Sequence, residues 1–307
     1  MSKNQLILNY IQSKLNSNSK SIPSLHKLAS MFNTSKSQIT RVLKKANIYD
    51  KYLQLRKESH YSKEEIKIGF MSDIHLGHED KKSLDIALEY LKDKNIDVLI
   101  LGGDVIDFES ISFWKNKNQY SLVEELEMAK QFLKELRKEF PDSVIYYIEA
   151  NHEQRAERYL ISKAKEFSYL DDLSIPNLLK LSELDIFYIS QIKHIEQNQI
   201  PFHINNLIFL HGHEVKVNYS TINIARSMFL KTQANIIFGH FHTTQSYYQR
   251  NILNQIQGAW SVGSLCHLHP QYSPINNWNN GFAYIETLSP SEFQVFNFRI
   301  HNNKLLT

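Results

Sequence analysis

The stretch IIFGHFHTTQ, residues 236–245, sets an apolar run against two histidines, His240 and His242, with one phenylalanine between them. The run reads as a buried strand. On a strand, residues i and i+2 share a face, so both imidazoles would look into one place. Taken alone, the pair fits an ordinary turn as well as a ligand site. Working outward, the same arrangement recurs. IKIGFM (66–71) is followed by Ser72, Asp73, Ile74 and His75, and DVLIL (97–101) by Gly102, Gly103, Asp104 and then Asp107. VIYYIEA (144–150) runs into Asn151, His152 and Glu153, and LIFL (207–210) into His211, Gly212 and His213. Helical patterns separate these runs at 80–94, at 119–139, from His152 onward and at 220–232. Alternating strands and helices predict a largely parallel sheet. In such sheets ligands bind at the carboxyl ends of the strands. Five consecutive strand ends, all bearing Asp, Asn or His, are hard to explain as satisfied core groups. The last 60 residues read as further strands (TTQSYYQR, ILNQIQ, GAWSVGSL, GFAYIETL, EFQVFNFRI), expected to form a second, meandering sheet packed on the first.

The chain has 307 residues and is 42% hydrophobic, enough for a sizeable core. One cysteine, Cys266, excludes an intramolecular disulfide and fits a reducing compartment. The N-terminus lacks a long apolar segment and no apolar run reaches membrane-spanning length, so the expectation is a cytoplasmic protein with no membrane partner. The formal charge of +3 is uneven: eleven Lys and Arg against two acids give the first 60 residues +9, leaving −6 for the remainder. A small basic module on a larger acidic body suggests a polyanion partner for the module.

Within residues 1–48, NQLILNYIQSKLN (4–16) places Leu6, Ile7, Tyr10, Ile11 and Leu15 on one helical face. Ser21 or Ser24 can cap a second helix with Leu25, Leu28, Ala29 and Phe32 inward. Ser35 can cap a third with Ile39, Val42 and Leu43 inward. The spacing resembles a helix-turn-helix unit, whose second helix enters the major groove. Its outward residues here, Lys36, Ser37, Gln38, Thr40, Arg41, Lys44 and Lys45, include types that read base edges and hold phosphates. A helical bundle for protein contact is the alternative. Residues 49–65 read as a connector that begins as helix.

The strand-end series resembles the calcineurin-like metallophosphoesterases, whose blocks run DxH, GDxxD, GNH(D/E), a strand ending in His, and GHxH. All five occur here in order, as Asp73–His75, Gly103–Asp107, Asn151–Glu153, His211 and Gly239–His242, over about residues 66–290. The one departure is Ala150 where the family has glycine before Asn151. The resemblance implies an α/β fold, a two-sheet β-sandwich flanked by helices, over 66–307, with the small all-α module in front.

It also implies two divalent metals that activate water and clamp phosphate oxygens. By resemblance, Asp73, His75, Asp104 and His242 hold one metal. Asp104, Asn151, His211 and His240 hold the other. The alternating histidines would then serve different metals, with Phe241 anchoring the turn. Mixed oxygen and nitrogen ligation suits Mn, Fe or Zn, with Mn favoured. His152 would assist the leaving group and Asp107 would orient it. Arg155 and Arg158 are candidates for substrate phosphate, against an exposed face paired with Glu153 and Glu157. His78, His213, His267 and His269 are read as outside the ligand set, and Cys266 as packing.

Phosphoprotein phosphatases of the family carry arginine directly after the second Asp of GDxxD, where this chain has Phe108. With the basic module, that favours a phosphodiesterase acting on DNA or a nucleotide. The tail also looks like that of esterases encoded by phages and mobile elements, and its Trp260, Tyr272 and Trp278 could stack on bases. The alternatives are a phosphomonoesterase and a DNA-binding regulator with a vestigial esterase body.

Overall fold

The computed structural model describes residues 1–16, 22–58, 65–113, 120–197, 199–218 and 222–306. The body is a sandwich of two sheets. The first runs β12-β11-β10-β1-β2-β3-β4 and the second β5-β6-β7-β9-β8. In chain order these are β1 (Ile66–Met71), β2 (Val98–Leu101), β3 (Val144–Ile148), β4 (Ile186–Ile189), β5 (His203–Ile204), β6 (Leu207–Leu210), β7 (Ile236–Phe238), β8 (Gln245–Arg250), β9 (Ile256–Ser261), β10 (Asn280–Thr287), β11 (Phe293–His301) and β12 (Lys304–Leu306). Strands β1 to β4 are mutually parallel, as are β6, β7 and β9. Strand β10 pairs antiparallel with β1.

The inner faces of both sheets meet in one core. Phe70, Ile100, Tyr146 and Ile148 from the first pack with Phe209, Ile237, Trp260 and Val262 from around the second. The strands are buried on both faces because helices cover the outside. Helices α5 (Lys81–Asp93) and α6 (Leu122–Glu139) lay Leu84, Ala87, Leu91, Ala129, Leu133 and Leu136 on the first sheet. Asp80 caps α5, and Ser121 with Glu124 forms a capping box on α6. Helix α10 (Ile224–Thr232) covers the second sheet with Ala225, Met228 and Phe229. Three further helices, α7 (Gln154–Lys163), α8 (Ile175–Leu178) and α9 (Gln191–Glu196), complete the connections.

The expected sandwich is present, but its strands are divided differently from the sequence reading. The tail does not build the second sheet alone. Strands β10, β11 and β12 extend the first sheet, while β8 and β9 join β6 and β7 in the second. Residues 252–255, read as the start of a strand, lie in a turn closed by Asn251 N–H on Gln255 O at 2.9 Å. Strand β4 escaped the reading because, unlike the equally short β2 and β6, it is not followed by a block of Asp, Asn or His.

Four helices precede the body: α1 (Lys3–Asn16), α2 (Leu25–Met31), α3 (Lys36–Lys45) and α4 (Tyr49–Glu58). Ser24 caps α2: its hydroxyl accepts from Lys27 N–H at 3.0 Å, and Ser35 likewise caps α3. Ser21 and the latter part of the expected connector, 59–64, lie outside the described residues. The connector's first part is built into the module: Tyr49 and Tyr52 share its core with Ile7, Ile11, Leu28, Ile39 and Leu43. The described helical unit therefore reaches Glu58 rather than ending at residue 48.

This helical unit sits against the body. Arg56 donates to Asp142 O at 2.7 Å and Ser143 O at 3.3 Å and lies 3.6 Å from Asp185 Oδ2. Tyr146 donates to Lys57 O at 3.0 Å. The contacted residues immediately precede β3 and β4, so the helices dock at the amino ends of the parallel strands. The five polar blocks lie at the other end.

Candidate active site

At the carboxyl ends of β1, β2, β3, β6 and β7, the chain turns sharply. Asp73, His75, Asp104, His240 and His242 all have positive φ, between 50° and 67°. Each such conformation costs a residue with a Cβ about 1 kcal/mol or more, and it persists only where the surroundings over-determine it. Here a backbone mesh does so. Asp73 N–H donates to Gly103 O and His75 N–H to Asp104 O, both at 3.0 Å. Leu265 N–H returns to Asp73 O at 3.0 Å, and His240 N–H to Asp73 Oδ2 at 2.8 Å. Two glycines make the close approach possible. A Cβ on Gly239 would stand 2.4 Å from Asp73 Oδ2, and one on Gly103 (φ +92°) would stand 2.4 Å from the Cβ of Ala150. Ala150, the departure from the family pattern, thus fills the space that Gly103 leaves.

The mesh gathers the seven expected ligands into adjoining clusters around Asp104. His211 Nε2 lies 3.3 Å from Asp104 Oδ2, 3.0 Å from Asn151 Oδ1 and 3.1 Å from His240 Nδ1. On the other side, His75 Nε2 is 4.0 Å from Asp104 Oδ2, and His242 Nε2 is 3.2 Å from Asp73 Oδ1. His240 and His242 fall into different clusters, as expected, though not through strand alternation. Strand β7 ends at Phe238, and both histidines sit on left-handed turn residues beyond it. Phe241 packs edge-on to Phe238, with centroids 5.9 Å apart.

His75 Nε2 is buried and has no hydrogen-bond partner among the described residues, although it faces the carboxylates. An orphaned nitrogen 4.0 Å from a buried carboxylate oxygen is a donor that a cation completes. The electrostatics agree. Burial disfavours charge on His75 and His211, yet Asp107 for the first and Asp104 for the second hold each up to about 10. Burial, then the charge on His211, pushes His240 down to about 3. Burial opposes ionisation of Asp73 and Asp104, but the neighbouring histidines hold both below the usual carboxylate range. The carboxylates thus demand positive charge at this edge, and the donors fit two divalent cations.

Asp107 touches His152 as expected, with Oδ1 2.5 Å from Nδ1. It also lies 2.7 Å from Nδ1 of His75, a role the sequence did not announce. Arg155 donates to Asp107 O and lies against His152 Nε2, both at 2.8 Å. Arg158 instead bonds Gln154 Oε1 at 2.6 Å on the exposed flank of α7. Glu153 is not on an exposed ion-paired face. It is fully buried, accepts N–H bonds from Asp104, Val105 and Ala150 at 3.0–3.1 Å and takes the Tyr147 hydroxyl at 2.7 Å. It ties the β2 and β3 ends together; its place in the GNH(D/E) block was the only signal.

His213 lies 3.6 Å from Glu214, outside both clusters, and His78 pairs with Glu109 at 3.1 Å. His267 and His269 are exposed. Cys266 is buried with its Sγ 3.8 Å from Nδ1 of His242, closer to the clusters than a plain packing role requires.

The outward residues of α3 are not equally free. Lys36 is half-buried, and burial and then Arg137 of the body lower its pKa. Thr40 bonds Tyr49, and the Lys44 ammonium stands 5.3 Å over the Tyr49 ring. Gln38 donates to Asn4 at 2.9 Å. Ser37, Arg41 and Lys45 face outward, exposed.

A two-sheet sandwich with buried acids and histidines clustered at one edge defines a metal-dependent phosphoesterase site. The chain belongs to the calcineurin-like phosphoesterase family, whose pattern it matches over residues 66–258. It is 23% identical over 236 residues to the Gene 54 protein of Mycobacterium phage L5, covering 71% of this chain and 88% of that protein. The Gene 54 protein of Mycobacterium phage D29 is 24% identical over the same length. Among solved structures, a Vps29 single mutant from Entamoeba histolytica aligns with a TM-score of 0.40 at 11% identity, over 78% of this chain and 96% of that one. Nuclease MPE of Pseudomonas putida aligns with a TM-score of 0.32 at 10% identity, over 75% and 87%. No helix among the described residues is long and apolar enough to cross a membrane.

Proposed function

We propose that the protein hydrolyses phosphodiesters of DNA or of nucleotides. The observation that carries this reading is the cation supply around the ligand clusters. Arg155 brings one guanidinium to His152, while Phe108, buried and left-handed, stands where the phosphoprotein phosphatases carry arginine. A diester has one negative charge and needs less gripping than a doubly charged monoester.

Asp73, His75 and His242 would hold one metal, Asn151, His211 and His240 the other, and Asp104 both. When bound, the two cations supply a nucleophile from water at neutral pH and offset charge on the phosphoryl oxygens. The donor types suit Mn, Fe or Zn, Mn being our preference. Asp107 accepts a hydrogen bond from Nδ1–H of His152, which fixes the orientation of the ring. Substrate entry moves Arg155 from Nε2 onto a phosphate oxygen; the freed Nε2 takes up a proton from solvent and passes it to the leaving oxygen as the phosphorus–oxygen bond breaks. The basic helices would hold the enzyme on nucleic acid through Arg41 and Lys45, while Lys36, Thr40 and Lys44 are engaged at the seam with α4 and the body.

The test compares turnover of a bis-aryl and a mono-aryl phosphate by Mn²⁺-loaded protein, with end-labelled single- and double-stranded DNA alongside and His152→Ala as control. Faster diester cleavage and shortened or nicked DNA, both lost in the variant, are expected. Preferred monoester turnover with intact DNA would overturn the reading.

A further inference from the structure

The loop after Cys266 lays two aromatic side chains along the rim of the clusters. Trp278 packs against the ligand-set imidazole of His242 with centroids 4.2 Å apart, and Tyr272 stands edge-on to Trp278 at 6.2 Å. The loop is fastened from within. Asn276 donates to Leu268 O at 2.6 Å and Ser273 O at 2.7 Å, and its Oδ1 accepts from Trp278 N–H at 3.0 Å. Yet Tyr272 is 73% exposed, an arrangement that no packing requirement explains. Desolvation, followed by the charge of Asp107, raises the pKa of its hydroxyl. The ring therefore projects from a pinned loop, with Trp278 between it and the His242 imidazole and most of its surface open.

We infer that Tyr272, braced by Trp278, forms a stacking shelf for a nucleobase, setting the enzyme's preference for substrates that carry a base next to the scissile phosphate. The idea rests on the phosphodiesterase reading and deepens it. An aromatic face is sequence-tolerant, because every base has a π-face, so the shelf selects nucleotides without selecting a sequence. Tyr272 touches the substrate's base and not the reacting atoms, so its loss acts on binding and leaves the chemical step alone.

The test uses the Mn²⁺-loaded full chain with thymidine 5′-p-nitrophenyl phosphate and methyl p-nitrophenyl phosphate, which share a leaving group and differ only in the base-bearing side. In Tyr272→Ala, KM for the thymidine ester should rise about tenfold with kcat little changed, while KM for the methyl ester stays put; Tyr272→Phe should restore the wild-type ratio. Equal changes on both esters, or none on either, would overturn the shelf. A second readout is independent of turnover: fluorescence of a 2-aminopurine dinucleotide, quenched on stacking. Quenching that Tyr272→Ala removes, in a protein that turns over neither ester, would sink the phosphodiesterase reading and leave the shelf standing. Diester turnover without quenching would do the reverse.

Discussion

The two ends of the parallel strands both bury charge, and they do opposite things with it. At the amino ends, Arg56, Arg137 and Asp185 are almost wholly buried between the helical unit and the body. Backbone carbonyls absorb the guanidinium N–H groups: Arg137 reaches Leu184, Phe140, Ser143 and Asp185, each at 2.8 Å, and Arg56 reaches Asp142 and Ser143. Burial, only partly offset by Asp185, lowers Arg137 to about 10. At the carboxyl ends, the acids are gathered against histidines on strained turns, and His75 Nε2 is left without a partner. The first cluster is neutralised within the chain, with Arg56 Nε 3.6 Å from Asp185 Oδ2, and holds parts together. The second gathers acids and histidines into groups that fit metal ions. Strain and orphaned atoms occur at both ends, since Asp185 has φ +56° and carboxylate oxygens without a hydrogen bond among the described residues. What differs is that its counter-charge is a guanidinium of the chain, whereas the carboxyl-end acids converge on several metal-ligating side chains.

The largest expected effect that sharpens this contrast is at Asp104. Asp104→Ala should lower turnover by on the order of a thousandfold or more, because it empties the position shared by both metals. Its thermal midpoint should fall, because His211 loses the carboxylate 3.3 Å from its Nε2 and His152 N–H loses its acceptor. Full activity would break the comparison. His152→Ala should cost about 10²- to 10⁴-fold in kcat, with metal content unchanged by elemental analysis. At the other end, Arg56→Ala should lower unfolding free energy in urea by about 3 kcal/mol, since it leaves Asp185 buried with its pair removed. Its turnover of a small aryl diester, per folded molecule, should stay within about twofold. A large catalytic loss at unchanged stability would show that the two ends are not separate.

Proton linkage gives a smaller effect. His75 and His211, both raised to about 10 by the carboxylates beside them, are charged in the metal-free protein at neutral pH. Cations must displace those protons, so metal affinity should rise with pH between about 6 and 8, with protons released on binding. Calorimetry in buffers of different ionisation enthalpy reads the release; affinity independent of pH would contradict it. The smallest effect is on the helices: Arg41→Ala and Lys45→Ala should each reduce the salt slope of DNA binding by about one, with small-ester turnover unaltered.

The sequence was legible where chemistry dictates residue type. Metal ligation admits few side chains, so Asp73, His75, Asp104, Asn151, His211, His240 and His242 stood out after apolar runs that could only be buried strands. The supports were less visible. Glu153 works through backbone N–H groups from another strand end, and Asp107 serves His75 as well as His152. Neither role leaves a spacing. The docking cluster was invisible, because Arg56, Arg137 and Asp185 come from three distant segments and follow no period. Sheet membership of the tail was missed for a similar reason. Whether β10 joins the first sheet depends on its antiparallel pairing with β1, more than 200 residues away, not on its own alternation.

The most direct measurement counts metal. Equilibrium dialysis with Mn²⁺, read by elemental analysis, should give about two ions per chain for the wild type, about one each for His240→Ala and His242→Ala, and fewer than one for Asp104→Ala. A single ion per chain, or variants that all retain the wild-type content, would contradict a dinuclear site built on these residues.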